Sequence, residues 1–460
     1  MLNPFRNLVV LAAMVMAASQ PVNAAEEPGA SEITEIARQA YLWGYPMVDN
    51  YSVLYNFALD PDSTEYKAPL NHIGHIRRVA GPDDRTIVAP NVDTPYSYAW
   101  LDLQAEPVVL GIPEFEAGRY VSLQLIDGYT YILGYVTPRT NGTAGGNFLI
   151  AGPGWNGRVP DGIDGVFRSP TELVLAHYRT QLLGPDDLPR VHAIQDGYSV
   201  RPLSAYTGTV PPPAAAPVEP VAPLDVRKHP FDMQFFRVLN WMLEFMPPLP
   251  DEVGMRERFA TIGIGAGREF APDTATRIAI EKGMQEALAE MQARAGQVRS
   301  SAELFGSREF LGQDYLTRAV ATMIGIYGNA AEEYLGVGYQ TDSEGRPFDG
   351  ANRYTITFPE GGLPDVGAFW SITAYDADRF VYANEIDRYS VNSMMVPNFV
   401  RNADGSITIY VQHDRPDVAL VPNWLPVPDT PFGLTFRTYQ PGAAIRDGSW
   451  QAPPVLRVTP

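Results

Sequence analysis

RYVSLQLIDGYTYILGYVTPR, residues 119–139, reads as a β-hairpin, and a second copy follows 249 residues later as AFWSITAYDADRFVYANEIDR, residues 368–388. From Tyr120 to Leu125 apolar and polar side chains alternate, which is the period of a strand, and Gly128 supplies a turn. In a gapless overlay Ser122 meets Ser371, Asp127 meets Asp376 and Arg139 meets Arg388, while Tyr120 and Tyr131 meet Phe369 and Phe380. A proline-bearing turn precedes each copy, at Pro113 and Pro364, and a later pair, Arg179-Thr180 and Arg437-Thr438, extends the match with shifted spacing. A duplicated β unit follows. The fold class is mainly β with a helical insertion (α+β), built as two jelly-roll or β-sandwich-like domains.

Outward from the first copy, turn signals at Gly118, Gly128, Gly142 and Gly152-Pro153-Gly154 mark an antiparallel β domain from about Tyr96 to Gln195. Upstream, Ile33, Ile36, Ala37, Ala40 and Tyr41 fall at helical spacing after Ser31, so a helix opens the domain, with Gly44 and Pro46 expected to interrupt it. The pairs Tyr41/Tyr45 and Tyr51/Tyr55 are expected in the core. The Pro/Ala-rich stretch 211–223 predicts an extended, solvent-exposed linker. Helical periodicity returns in 231–245, 274–295 and 314–327, and strands resume near Tyr354. The expected organisation is a signal peptide (1–24), a first β domain with its helix (25–210), a linker (211–229), a helical segment (230–340) and a second β domain (341–460).

Residues 1–24 read as a secretory leader, with Arg6 in the basic region, an apolar run from Leu8 to Ala18, and a small-residue cleavage site at Val22-Asn23-Ala24. The apolar run is too short to span a bilayer. A periplasmic or secreted protein with no membrane anchor after cleavage is the expectation. The chain contains no cysteine, which removes disulfides, thiolate nucleophiles and iron–sulfur ligation. A net charge of −19 over 460 residues argues against nucleic acid as a partner. No lysine follows a glycine, and H-E-x-x-H, G-x-S-x-G and S-x-x-K are missing, so nucleotide and several hydrolytic signatures do not apply. Gly263-Ile264-Gly265-Ala266-Gly267 lacks dinucleotide-loop spacing, nothing points to haem, and the cofactor is left unknown.

Polar residues gather most densely in Asn91-Val92-Asp93-Thr94-Pro95-Tyr96, at a strand mouth, where short amide, carboxylate and hydroxyl groups serve as a general base, hold a hard cation, or cap a turn. Asp93 and Tyr96 are the catalytic candidates. Asn91, Asp127, Tyr129 and Arg139 are the substrate-binding candidates, with Thr140 and Asn141 adjoining. Asp127 and Arg139 form either an anchor for an anionic group or a pair that locks the end of the sheet, and their recurrence favours the scaffold role. His72 and His75, three apart, are the histidine candidates for a metal together with Asp93, against a reading as two solvated loop histidines. His177, His192, His229 and His413 are read as isolated, hydrogen-bonded structural residues.

The residues Tyr41-Leu42-Trp43-Gly44-Tyr45-Pro46, Asn91 to Tyr96, Trp100 to Leu103, Arg119-Tyr120 and Gly152 to Trp155 resemble domain of unknown function 1254. Phe369-Trp370-Ser371, Tyr375-Asp376, Asn384 to Tyr389, Asn423 to Pro426 and Phe436 to Pro441 resemble domain of unknown function 1214. The resemblance implies an exported bacterial protein of two jelly-roll-like domains with self-association, and it brings no catalytic residue set. The leading expectation is a hydrolase or lyase acting on a small polar or carbohydrate-like molecule, with Asp93 as base or metal ligand, Tyr96 as proton donor and Arg139 as anchor. The alternative is a non-catalytic ligand-binding protein, or an oligomeric structural or host-interaction protein. The residues leave open whether the chain is an enzyme.

Overall fold

The computed structural model describes residues 28–85 and 89–458, so the expected leader lies outside the described residues. The fold is α+β. A helix, Ala30–Leu54, opens it and runs unbroken through Gly44 and Pro46, starting after Gly29 without a side-chain cap from Ser31. Gly44 survives inside the helix because a Cβ there would stand 2.7 Å from a methyl of Leu239, so the absent side chain permits close packing. Tyr41 and Tyr45 meet edge to face at 5.7 Å in the core beneath.

Nine strands follow: β1 Gly74–His75, β2 Tyr96–Asp102, β3 Val108–Ile112, β4 Val121–Asp127, β5 Ile132–Val136, β6 Gly146–Ala151, β7 Gly165–Arg168, β8 Leu173–Thr180 and β9 Ser199–Pro202. They form two sheets, ordered β1-β2-β8-β4-β5 and β7-β6-β3-β9. The second set is β10 Tyr334–Tyr339, β11 Tyr354–Phe358, β12 Trp370–Asp376, β13 Ser390–Asn392, β14 Ile407–Gln412, β15 Trp424–Pro426, β16 Phe432–Tyr439 and β17 Val455–Arg457. Its sheets are β10-β16-β12-β13 and β15-β14-β11-β17, the same order with no counterpart of β1. Every ladder is antiparallel except β6–β7 and β14–β15, which correspond and both run parallel, so the antiparallel expectation misses one pair in each repeat. In each repeat the inward faces of both sheets share one apolar core, Leu101, Leu110, Leu123, Phe148 and Val174 in the first and Ile356, Ile372, Ile409, Leu425 and Phe436 in the second.

The duplication extends to single hydrogen bonds. Strands β4 and β12 coincide at the 249-residue offset. The Tyr131 amide donates to Asp127 Oδ1 at 2.9 Å and the Phe380 amide to Asp376 Oδ1 at 2.8 Å. Thr130 and Arg379 hold the same left-handed turn position, with φ 75° and 67°. The Gln181 amide bonds the Tyr120 carbonyl at 2.9 Å, as the Tyr439 amide bonds that of Phe369 at 2.8 Å. Beyond the turn the overlay breaks. Val136 pairs with Leu123, while the residue pairing with Ile372 is Val391, six positions past the Glu385 that a gapless overlay requires. Arg139 and Arg388 are therefore not counterparts, because the second hairpin carries a longer loop.

The outer face of the β1–β5 sheet is covered by helices. Trp100, Ile126, Leu173 and Leu175 join one core with the opening helix and the helices Gln234–Met242, Thr274–Ala295 and Tyr315–Ile324. Residues 211–220 are extended and largely exposed. The stretch then becomes a strap. The Trp241 indole donates to the Glu219 carbonyl at 2.9 Å, and the Tyr51 hydroxyl to that of Val221 at 2.6 Å. Among the described residues no helix is long and apolar enough to cross a membrane.

Candidate functional site at the seam of the repeats

The register places three residues in a row across each sheet where the two repeats meet. Tyr96 on β2 pairs with Arg179 on β8, which pairs with Ser122 on β4. Gly336 on β10 pairs with Arg437 on β16, which pairs with Ser371 on β12. The neighbouring row is Tyr98–His177–Gln124 in the first repeat and Gly338–Thr435–Thr373 in the second. The β8 sequence Leu173-Val-Leu-Ala-His-Tyr-Arg179 explains the change along this face: Leu173 and Leu175 lie under the helices, and His177 and Arg179 approach the seam. Tyr120, Phe369 and Tyr439 pack across it, with Phe369 stacked on Tyr439 at 4.1 Å.

Both guanidinium groups are buried. Arg437 donates to Thr373 Oγ1 at 2.8 Å and to the Tyr375 hydroxyl at 2.6 Å. Arg179 donates to Gln124 Oε1 at 2.8 Å and to the Tyr327 carbonyl at 3.1 Å. Asn91 and Asp93 come together here, while Tyr96 stands over Arg179 in the first-repeat row. Asn91 Oδ1 accepts the Asp93 amide at 2.6 Å in an Asx turn, and its Nδ2 donates to the Tyr439 hydroxyl at 2.7 Å. Asp93 crosses into the second repeat, where its Oδ2 accepts the Ser371 hydroxyl at 2.6 Å while Oδ1 has no partner. Burial pushes the Asp93 carboxyl above its ordinary range, against the pull of Arg437. The Tyr375 hydroxyl donates to the Pro90 carbonyl at 2.7 Å, tying the same segment down.

The counterpart of Asp93 is a residue absent from the sequence expectations. The Leu182 amide bonds the Asp93 carbonyl and the Gln440 amide bonds the Glu333 carbonyl, both at 2.9 Å, at corresponding positions just past the ends of β8 and β16. Glu333 is wholly buried and crosses into the first repeat, where it accepts from Arg139 Nε at 2.8 Å and from Thr137 Oγ1 at 3.1 Å, with the Tyr120 hydroxyl at 3.4 Å. No local motif marks Glu333; only the duplicated ladder does.

The remaining candidates lie elsewhere. Asp127 and Arg139 form no pair, because Glu333 holds the arginine. Asp127 caps its own turn beneath the helical segment, with Oδ2 unpaired, and burial pushes its carboxyl up to about 7 despite Arg308 and Arg318 nearby. The Tyr129 hydroxyl donates to Glu252 Oε2 at 2.9 Å and receives a bond from Arg256. Thr140 closes a capping box with Thr137, and Asn141 ends that short turn of helix. His72 and His75 share no helix: His72 sits in an exposed turn against the Leu70 carbonyl at 2.9 Å, and His75 on β1 against Ser97 Oγ at 2.8 Å. Burial, followed by Arg77, holds His75 down at about 4. Among the described residues no group of three or more His, Cys, Asp and Glu side chains is arranged to hold a metal ion. His177 departs from the expectation of a hydrogen-bonded residue. It is buried with neither ring nitrogen partnered, stacked on Tyr98 at 4.7 Å, with Tyr96 edge-on at 4.8 Å.

Comparison with known proteins finds one family model in each of the two repeats. Residues 70–202 match the family described as "Protein of unknown function (DUF1254)" and residues 333–443 the one described as "Protein of unknown function (DUF1214)". The two matches stand in that order, the first in the N-terminal and the second in the C-terminal part of the chain. It is similar to the crystal structure of the VPA0106 protein from Vibrio parahaemolyticus, at 27% identity and a TM-score of 0.77, over 93% of this chain and 100% of that one. An uncharacterized protein from Burkholderia cenocepacia aligns over 93% of this chain and 94% of its own, at 13% identity and a TM-score of 0.43. No curated protein matches.

Proposed function

We propose that the seam binds a small polar or carbohydrate-like molecule and that the protein is a hydrolase or lyase with Asp93 as proton acceptor. One observation carries the reading: Asp93 is buried beside Arg437 without an ion pair, one oxygen held by Ser371 and the other short of hydrogen-bond geometry, with the Ser390 hydroxyl nearby. Buried carboxylates in a scaffold are ordinarily satisfied, whereas a general base needs a raised pKa and a free lone pair. Tyr96, half-buried at the start of β2, is the residue assigned to return the proton. Arg179 and Arg437 take over the anchoring role assigned to Arg139. The test is a turnover screen of carboxylic esters, lactones and glycosides, with any hit repeated on Asp93→Asn. A folded variant without activity supports the proposal, and retained activity contradicts it.

A non-catalytic binding role is the second reading, favoured by the aromatic wall of Tyr96, Tyr98 and Tyr327 around His177. The shared strand order supports reading each two-sheet unit as jelly-roll-like. The Arg6–Ala24 leader supports a periplasmic or secreted location. N-terminal sequencing that finds Ala25 agrees with that location, and Met1 on the abundant species opposes it.

A further inference from the structure

In the second repeat the Arg–Ser row is served by a carboxylate: Ser371 donates to Asp93, and Arg437 lies within electrostatic reach of it. The first repeat has the same row without that partner. Ser122 Oγ has no partner in hydrogen-bond geometry, although the Tyr120 hydroxyl stands beside it. Among the described residues no carboxylate comes within ion-pair distance of Arg179, so it is absent from the salt bridges that engage other buried arginines such as Arg119. In the adjoining row both nitrogens of His177 are unpaired. Glu333, the counterpart of Asp93, is drawn off by Arg139 and Thr137. A buried cation and unpaired buried polar atoms each carry a desolvation cost that a fitting partner recovers. What stands over this row is the Tyr96 ring, whose centroid is 5.7 Å from the Arg179 guanidinium carbon, where the second repeat has Gly336. Tyr96 is only half-buried, and its hydroxyl makes no hydrogen bond among the described residues.

We infer that Ser122, Arg179 and His177 form a carboxylate-binding site gated by the Tyr96 ring. The inference rests on the seam being a ligand site and names the ligand class: a small carboxylic acid whose carboxylate meets Arg179 and Ser122 as Asp93 meets Arg437 and Ser371. His177 is held neutral by burial and offers one donor and one acceptor. Two residues along β8 from Arg179, it suits a hydroxyl or amide about 7 Å from the carboxylate.

The test is calorimetric titration of the full chain with sodium benzoate, with benzamide and sodium sulfate as controls. Wild type binds benzoate and neither control, and Arg179→Gln weakens benzoate at least about tenfold. Ser122→Ala, which keeps the backbone and removes one hydroxyl, weakens it about threefold and reports on the site if Arg179→Gln fails to fold. Tyr96→Gly, which copies the second repeat, strengthens binding. Asp376→Asn, in the capped turn of the other repeat, leaves benzoate affinity unchanged. Arg179-dependent binding without turnover of any substrate therefore upholds this inference while the hydrolase or lyase reading fails. Benzoate that binds neither wild type nor Tyr96→Gly overturns it. So does binding insensitive to both Arg179→Gln and Ser122→Ala, equal binding of sulfate, or a loss in Asp376→Asn as large as in Arg179→Gln.

Discussion

Arg437 in the second repeat looks out at a carboxylate, and Arg179 at the same position of the first looks out at a tyrosine ring. Strand order, ladder register and the Asp-capped turns agree between the two, so the backbone does not account for the difference. It comes from two positions at the start of the seam strand. Asp93 reaches Ser371 whereas Glu333 is held by Arg139, and Gly336 leaves room that Tyr96 fills. Duplication kept the ladders and let the chemistry at their mouths diverge.

The largest effect is expected where the two crossing carboxylates are compared. Glu333→Ala takes the acceptor from the half-exposed Arg139 and from two hydroxyls and should lower stability by about 2–3 kcal/mol, whereas Asp93→Asn keeps an acceptor for Ser371 and should cost under about 1 kcal/mol. Urea unfolding of both variants measures this. Equal losses would mean that Asp93 is as much a scaffold residue as Glu333.

The two turn acids sharpen the comparison through pH. Asp127 is buried with a folded pKa raised to about 7, so the folded state binds its proton more tightly than the unfolded chain does. Its contribution to stability is complete below about pH 4 and is lost as pH rises through 7. Asp49, raised to about 6 mainly by burial, adds a slope of the same sign. Asp127→Asn should flatten much of the fall in melting temperature between pH 4 and 7. Asp376→Asn should leave that slope in place and cost under about 1 kcal/mol, because its partner is the exposed Arg85 at 2.9 Å. An unchanged slope in Asp127→Asn would contradict the assignment.

A smaller effect separates Gly336 from its counterpart. A Cβ at Gly336 would stand close against the Tyr334 hydroxyl, which folds back beside Arg437. Gly336→Ala should cost about 1–2 kcal/mol in thermal unfolding, and Tyr96→Phe almost nothing. A neutral Gly336→Ala would show that Tyr334 has other room.

The repeat, its strand period and the Asp turn were legible because they are local and periodic. The overlay failed after Phe380 because a longer loop has no period to betray it, and Arg139 was matched to the wrong arginine. Asn91 and Asp93 stood out as a dense polar cluster, but the Ser371 that holds Asp93 lies 278 residues away, a distance across which sequence carries no pairing signal. Arg179 and Arg437 were visible as a recurring Arg-Thr pair that extended the repeat and marked no site. His177 shares a strand face with Leu173, Leu175 and Arg179, and that drift from apolar to polar is the readable sign of a face leaving the core. Glu333 sits between a helical segment and a strand with nothing in its neighbourhood to single it out.

Urea unfolding of Arg437→Gln beside Arg179→Gln tests most directly whether the two rows differ as described. Removing Arg437 leaves the buried Asp93 without its neighbouring cation, while removing Arg179 also relieves a buried charge that no carboxylate neutralises. Arg437→Gln is expected to be the less stable variant by at least about 2 kcal/mol. Equal losses, or a greater loss in Arg179→Gln, would contradict the account.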